Sequence, residues 1–86
     1  MMIFAFDPAK DMANVAKHGL SLADFEGFDA VPVVTTDDRY DYGETRFRAH
    51  GRIDGFGRCL VYTVDAGVMR LISIRRAHEK EMRRYE

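Results

Sequence analysis

Between Thr45 and Ile74 three segments, TRFRAHGRI, CLVYTV and VMRLISI, are separated only by short turns around Asp54, Gly55 and Gly57 and around Asp65, Ala66 and Gly67. Gaps this short admit a tight turn and no crossover, so the segments must run back beside one another as an antiparallel sheet. Gly67 is expected at positive φ, where a glycine carries no steric penalty. TRFRAHGRI alternates in character, which places Arg46, Arg48, His50 and Arg52 on one face and Phe47, Ala49 and Ile53 on the other. CLVYTV is apolar on both faces, as a central strand is. Residues 30–36 add a β-branched segment whose Pro32 marks an edge position or a strand start.

The remainder reads as one strand and three helices. Ile3 to Phe6 is a short apolar–aromatic strand. Asp7 and Pro8 form a helix start, since Asp accepts from free backbone N–H groups and Pro tolerates the first helical position. Ala9, Met12, Ala13 and Ala16 then recur at helical spacing, and Gly19 closes the helix after Lys17 and His18. SLADFEGF reads as a second short helix, with Ser21 and Asp24 at capping-box spacing and Leu22, Phe25 and Phe28 facing inward. From Ala77 the pattern is helical again, with Met82 and Tyr85 on one side. The order is β-α-α-β-β-β-β-α. The expected fold is α+β: an antiparallel sheet of about four strands packed with two N-terminal helices and one C-terminal helix, in one domain over residues 1–86.

Composition narrows the function classes. One cysteine, Cys59, makes no internal disulfide or thiolate cluster, and the first apolar run, Met1 to Phe6, is too short for a signal peptide or a membrane span. A cytoplasmic setting is expected. The net charge of −1 hides an asymmetry: residues 1–45 hold 9 acidic and 3 basic side chains, residues 46–86 hold 5 acidic and 10 basic, nine of them Arg. Such a division points either to a basic binding surface or to two halves that compensate each other.

Phosphate-binding glycine loops, GxSxG and HExxH are absent. His18, His50 and His78 are isolated, so neither a metal nor another cofactor is expected. Arginine remains. Arg46, Arg48, His50 and Arg52 on one strand face suit an RNA backbone, because guanidinium groups bind phosphate bidentately; the alternative is a solvated face of salt bridges. In RLISIRRA a straight strand would put Arg70 and Arg75 on opposite faces, one of them toward the core. Either a bulge re-aims one, or the strand ends near Ile74.

In order and spacing, FAFDPAKDMANVAKHGLSLADF, then Gly43–Glu44 and Arg46, Gly51, Tyr62 and Thr63, and RLISIRRA with Glu81 and Tyr85 resemble the BrnT family of type II toxin–antitoxin systems over essentially the whole chain. Phe6 departs from the Trp usual there, which concerns packing and no charged residue. The resemblance implies a fold similar to RelE-type toxins and a ribonuclease that blocks translation. It also implies neutralisation by a BrnA-like ribbon-helix-helix antitoxin, in a heterotetramer that reaches operator DNA only through the antitoxin. For metal-free RNA cleavage the charge-stabilising candidates are Arg46 and Arg75, then Arg70. His18, Glu44 and Tyr85 are the acid–base candidates, and Arg48, His50, Arg52, Lys10 and Lys17 the RNA-binding ones. A non-catalytic binding module acting as a co-repressor subunit is the competing reading.

Overall fold

A computed structural model describes residues 3–86; Met1 and Met2, the start of the first apolar run, lie outside them. The elements are β1 (Ile3–Phe6), α1 (Pro8–His18), a 3-10 turn (Leu22–Asp24), β2 (Val33–Asp37), β3 (Arg46–Ile53), β4 (Phe56–Asp65), β5 (Val68–Arg76) and α2 (Glu79–Met82). The class is α+β, as expected, but the sheet is mixed and five-stranded, in the order β1-β5-β4-β3-β2. β2 to β5 form the antiparallel part. β1 joins it by pairing parallel with β5, Ile3 opposite Val68 and Phe6 opposite Leu71.

Both hairpins close on two residues at positive φ, Asp54 (52°) with Gly55 (82°) and Ala66 (51°) with Gly67 (79°). That is the turn whose twist matches paired strands. Helix α1 starts and stops as its sequence dictates: Asp7 accepts from the Ala9 N–H, and Gly19 ends the helix at φ 71°. SLADFEGF, by contrast, winds only as Leu22–Asp24, because Phe25 is already extended (φ −74°, ψ 121°) and Gly27 sits at φ 120°. Two helices, not three, therefore accompany the sheet, and the C-terminal one is a single turn.

The core lies on one sheet face, where Ala49, Leu60, Leu71 and Ile74 pack against Leu22 and Phe25. Helix α1 does not contribute its apolar spacing to it. Ala9, Met12, Ala13 and Ala16 are all exposed, and the helix turns Asp11, Asn14 and His18 inward instead. The reason is hydrogen bonding. β1 pairs with β5 only as far as Leu71, leaving the β5 edge beyond it without a strand partner. Asn14 supplies one: its Oδ1 accepts from the Ile74 N–H at 3.1 Å and its Nδ2 donates to the Ile74 carbonyl at 2.9 Å. Asp11 likewise accepts from the Leu22 N–H and the Ser21 hydroxyl.

Two consequences are measurable. Ala66→Asn places a residue tolerant of the left-handed region in the second hairpin, and raises stability by about 1 kcal/mol, read as a Tm increase of roughly 4–8 °C. Asn14→Ala orphans a buried N–H and a buried C=O of Ile74, and lowers stability by about 1–3 kcal/mol for each, read as the shift of the urea midpoint.

Candidate nucleic-acid interface

The strand register assigns every side chain to a face, since directly opposed residues on neighbouring strands share one. Val61 pairs with Ser73 and Tyr62 with Leu71, so Ile72 has no partner on β4 and forms a bulge. Of the two ways to accommodate Arg70 and Arg75, the bulge is the one realised. The extra residue turns five positions into an even count of pleats, and both arginines lie on the face opposite the core. Three rungs cross that face. Val33, His50, Cys59 and Arg75 form one; Thr35, Arg48, Val61 and Ser73 the next; and Asp37 with Arg46, then Thr63 with Arg70, the third.

The first rung is covered. Residues 77–86 lie on it, Met82 packing with Cys59 and Ala77. Gly57 permits the approach, because a Cβ there would meet Met82 Cγ at 2.6 Å. Glu81 accepts from Arg75 Nη1 and Nη2, each at 2.8 Å, and its Oε2 lies 2.7 Å from His50 Nε2. Tyr85 stacks parallel on the His50 ring, centroids 3.7 Å apart. His50, Cys59 and Glu81 bring metal-ligating atoms within 4.8 Å of one another. The contact from His50 Nε2 to Glu81 Oε2 is, however, a hydrogen bond with no room for an ion between its atoms, and both Glu81 oxygens are bonded to Arg75. Burial pushes the Cys59 thiol up.

The structure thus gives a structural role to several residues expected to meet RNA. His50 is buried beneath Tyr85 and is no part of an open face. Arg52 is clamped by Glu79 (2.9 and 3.1 Å) and Glu86 (2.7 and 3.1 Å). Its partners are the C-terminal carboxylates, not those of the acidic first half. Arg75 and Tyr85 contact the same cluster through Glu81 and His50, and the Arg75 side chain is still 36% exposed.

The other two rungs lie outside this carboxylate cluster, although the Arg46 side chain is itself only 22% exposed. Arg48 and Arg70 make no ion pair among the described residues, and Arg46 has only Glu44 at 3.6 Å, beyond hydrogen-bond range. The Nε atoms of Arg46 and Arg48 are buried without an acceptor, as are Thr35 Oγ1 and His50 Nδ1. Lys10, Lys17 and His18 come together in a groove between α1 and β5 that is also lined by Ser73 of the middle rung. Lys10 additionally lines a hollow with Arg70. Burial, Lys17 and Arg75 hold the His18 imidazole below its ordinary value, so the ring is neutral at pH 7. Glu44 lies beside the third rung, in a depression with Thr45, Phe47 and Thr63.

Asp37, Arg39 and Tyr42 were not singled out from the sequence, yet they build the loop beside this surface. Arg39 and Tyr42 both donate to the Asp37 carboxylate, which they hold far below the usual carboxylate range. An Asp closing the β-branched run VVTTD, with Arg two and Tyr five residues on, was the available signal.

Glu81 tests the covered rung. Arg75 above all, then His50, hold its carboxyl down to about 2. Its stabilising contribution is therefore complete above about pH 4.5, the unfolded value, and is lost as pH falls toward about 2. The stability gap between the parent and Glu81→Gln, measured by urea unfolding, narrows over that window.

The family model described as "Ribonuclease toxin, BrnT, of type II toxin-antitoxin system" matches residues 6–81. Comparison with curated proteins finds no match. Among the described residues no helix is long and apolar enough to cross a membrane.

Proposed function

The chain belongs to the BrnT family of type II toxin–antitoxin ribonuclease toxins, and from that premise we propose that the second and third rungs of the sheet bind and cut RNA without a metal ion. The observation that carries the reading is the contrast between paired and unpaired arginines. Arg39, Arg52 and Arg75 each have a carboxylate within 3 Å, whereas Arg46, Arg48 and Arg70 present guanidinium donors on an ordered face with no carboxylate that close. Anionic phosphate satisfies such donors.

Cleavage by the neighbouring 2′-hydroxyl requires three things. A base takes the hydroxyl proton as the 2′-oxygen bonds to phosphorus. Fixed positive charge stabilises the crowded anionic phosphorus. An acid protonates the 5′-oxygen as its bond to phosphorus breaks. His18, neutral at pH 7 and placed among Lys10 and Lys17, suits the base. Arg46 and Arg70 of the third rung, with Arg48 of the middle one, suit the charge stabilisation. Arg75 and Tyr85 reach substrate only beside the Glu81 and His50 contacts they already make, so the weight falls on the second and third rungs. Glu44 is the second acid–base choice, through its proximity to Arg46.

Toxin–antitoxin membership implies an antitoxin. A BrnA-like ribbon-helix-helix protein, assembled with the toxin as a heterotetramer, is the partner the reading includes. Cutting of cellular RNA then arrests translation, in the cytoplasm.

Purified chain incubated with RNA and EDTA is expected to cleave it. Arg46→Ala is expected to lower the rate by roughly 10²–10³, as losing an oxyanion-hole donor does, with stability lowered only by the lost Tyr42 contact, about 0.5–1 kcal/mol. Full cleavage by Arg46→Ala and by Arg70→Ala would show that the site lies elsewhere. Cleavage abolished by EDTA would remove the metal-free mechanism.

A further inference from the structure

We propose that the loop joining β2 to β3 is a docking site for an unpaired nucleobase, so that the RNA accepted by the basic face is single-stranded; this rests on reading that face as an RNA site. The loop is built, not merely tethered. Asp37, buried at the end of β2, takes hydrogen bonds from Arg39 Nε (2.8 Å), Arg39 Nη2 (2.9 Å) and the Tyr42 hydroxyl (3.2 Å). Carboxylate burial is tolerated when the oxygens are satisfied in this way, and each bond pins a loop residue. Arg46 then lies over the Tyr42 ring, 4.0 Å from its centroid, closing one face of that ring.

Tyr40 stands on this support. Its ring meets Tyr42 nearly edge-on, at 5.8 Å and 74°, and the residue is 70% exposed. Its hydroxyl makes no hydrogen bond among the described residues. A lone exposed tyrosine is ordinary. This one is held by a second ring whose other contacts are a buried carboxylate and a guanidinium; Asp38 and Asp41 flank it in the chain, and the cations of the loop and the strand entry are Arg39 and Arg46. Arg39 spends only Nε and Nη2 on Asp37, leaving Nη1 without a protein acceptor, and Arg46, Arg48 and Arg70 continue the positive track across the sheet.

A cationic track beside an aromatic ring with an open face is the combination that binds single strands: the cations follow the backbone and the ring stacks a base. Double-stranded RNA offers the ring nothing comparable, since its bases are stacked on one another and its major groove is too narrow for side chains to read.

The test uses a short single-stranded RNA, 2′-O-methylated throughout so that it is not cut, and the same strand annealed to its complement. Binding is followed by fluorescence anisotropy for the parent, Tyr40→Ala, Tyr40→Phe and Arg48→Ala. Tyr40→Ala is expected to weaken single-strand binding roughly tenfold, Tyr40→Phe to bind as the parent does, and duplex binding to be the same in all three. The melting curve of Tyr40→Ala stays that of the parent, because the ring is no part of the core. Parent-like binding by Tyr40→Ala, with loss in Arg48→Ala, overturns the base site and leaves the RNA reading standing. So does an equal loss on single strand and duplex, or a Tyr40→Ala defect confined to the complex with a co-expressed antitoxin. A parent that binds neither RNA removes the functional reading and this proposal together.

Discussion

One unpaired residue, Ile72, decides which side chains share a face. Without it β5 would carry Arg70 and Arg75 on opposite sides, and one guanidinium would enter the layer formed by Leu22, Phe25, Ala49 and Leu60. Burying an unpaired charge there would cost more than a small domain's margin of stability allows. The bulge removes the conflict by one extra backbone step. Leu71 and Ile74 both face the core, and Arg70, Ser73 and Arg75 all face away from it. Every later feature of the basic face depends on that partition.

The face is then divided again by the end of the chain. Glu79, Glu81 and Glu86 neutralise Arg52 and Arg75 and hold His50, while Met82 seals Cys59. Charge compensation is therefore local to the second half of the sequence. The excess of acid in the first half stays largely where it lies, and several of its members work as backbone organisers, Asp7 at the start of α1 among them. Asp11 orders the 3-10 turn. Asp29 accepts from the N–H groups of Asp54 and Gly55 at the first hairpin, bonds that hold its carboxyl below the ordinary value. The near-neutral total says nothing about the surface potential of the second and third rungs, where Arg46, Arg48 and Arg70 stand without close carboxylates.

Local physics was legible in the sequence. The two hairpins, the start and stop of α1 and the alternation of β3 depend on neighbours a few residues away, and each is present. The second helix failed because three residues of capping signal did not outweigh Gly27 and the extended backbone of Phe25. The apolar spacing of α1 misled for a different reason. An open strand edge at Ile74 demanded hydrogen-bond partners, and Asn14, on the other side of the helix, met that demand. The candidate arginines were legible as a set, but which of them carry partners was not.

The sequence by itself determined an antiparallel meander with arginines alternating along one strand, because tight turns and a two-residue pleat leave no other arrangement. Tertiary structure alone decided that β1 adds to β5 in parallel, that Ile72 bulges, and that the C-terminal carboxylates close over His50 and Arg75 while Arg46, Arg48 and Arg70 lie beyond them. Those outcomes turn on pairings between residues as much as 65 positions apart, as with Ile3 and Val68, and the selection among such pairings follows from which backbone groups and charges are left unsatisfied once the sheet has formed.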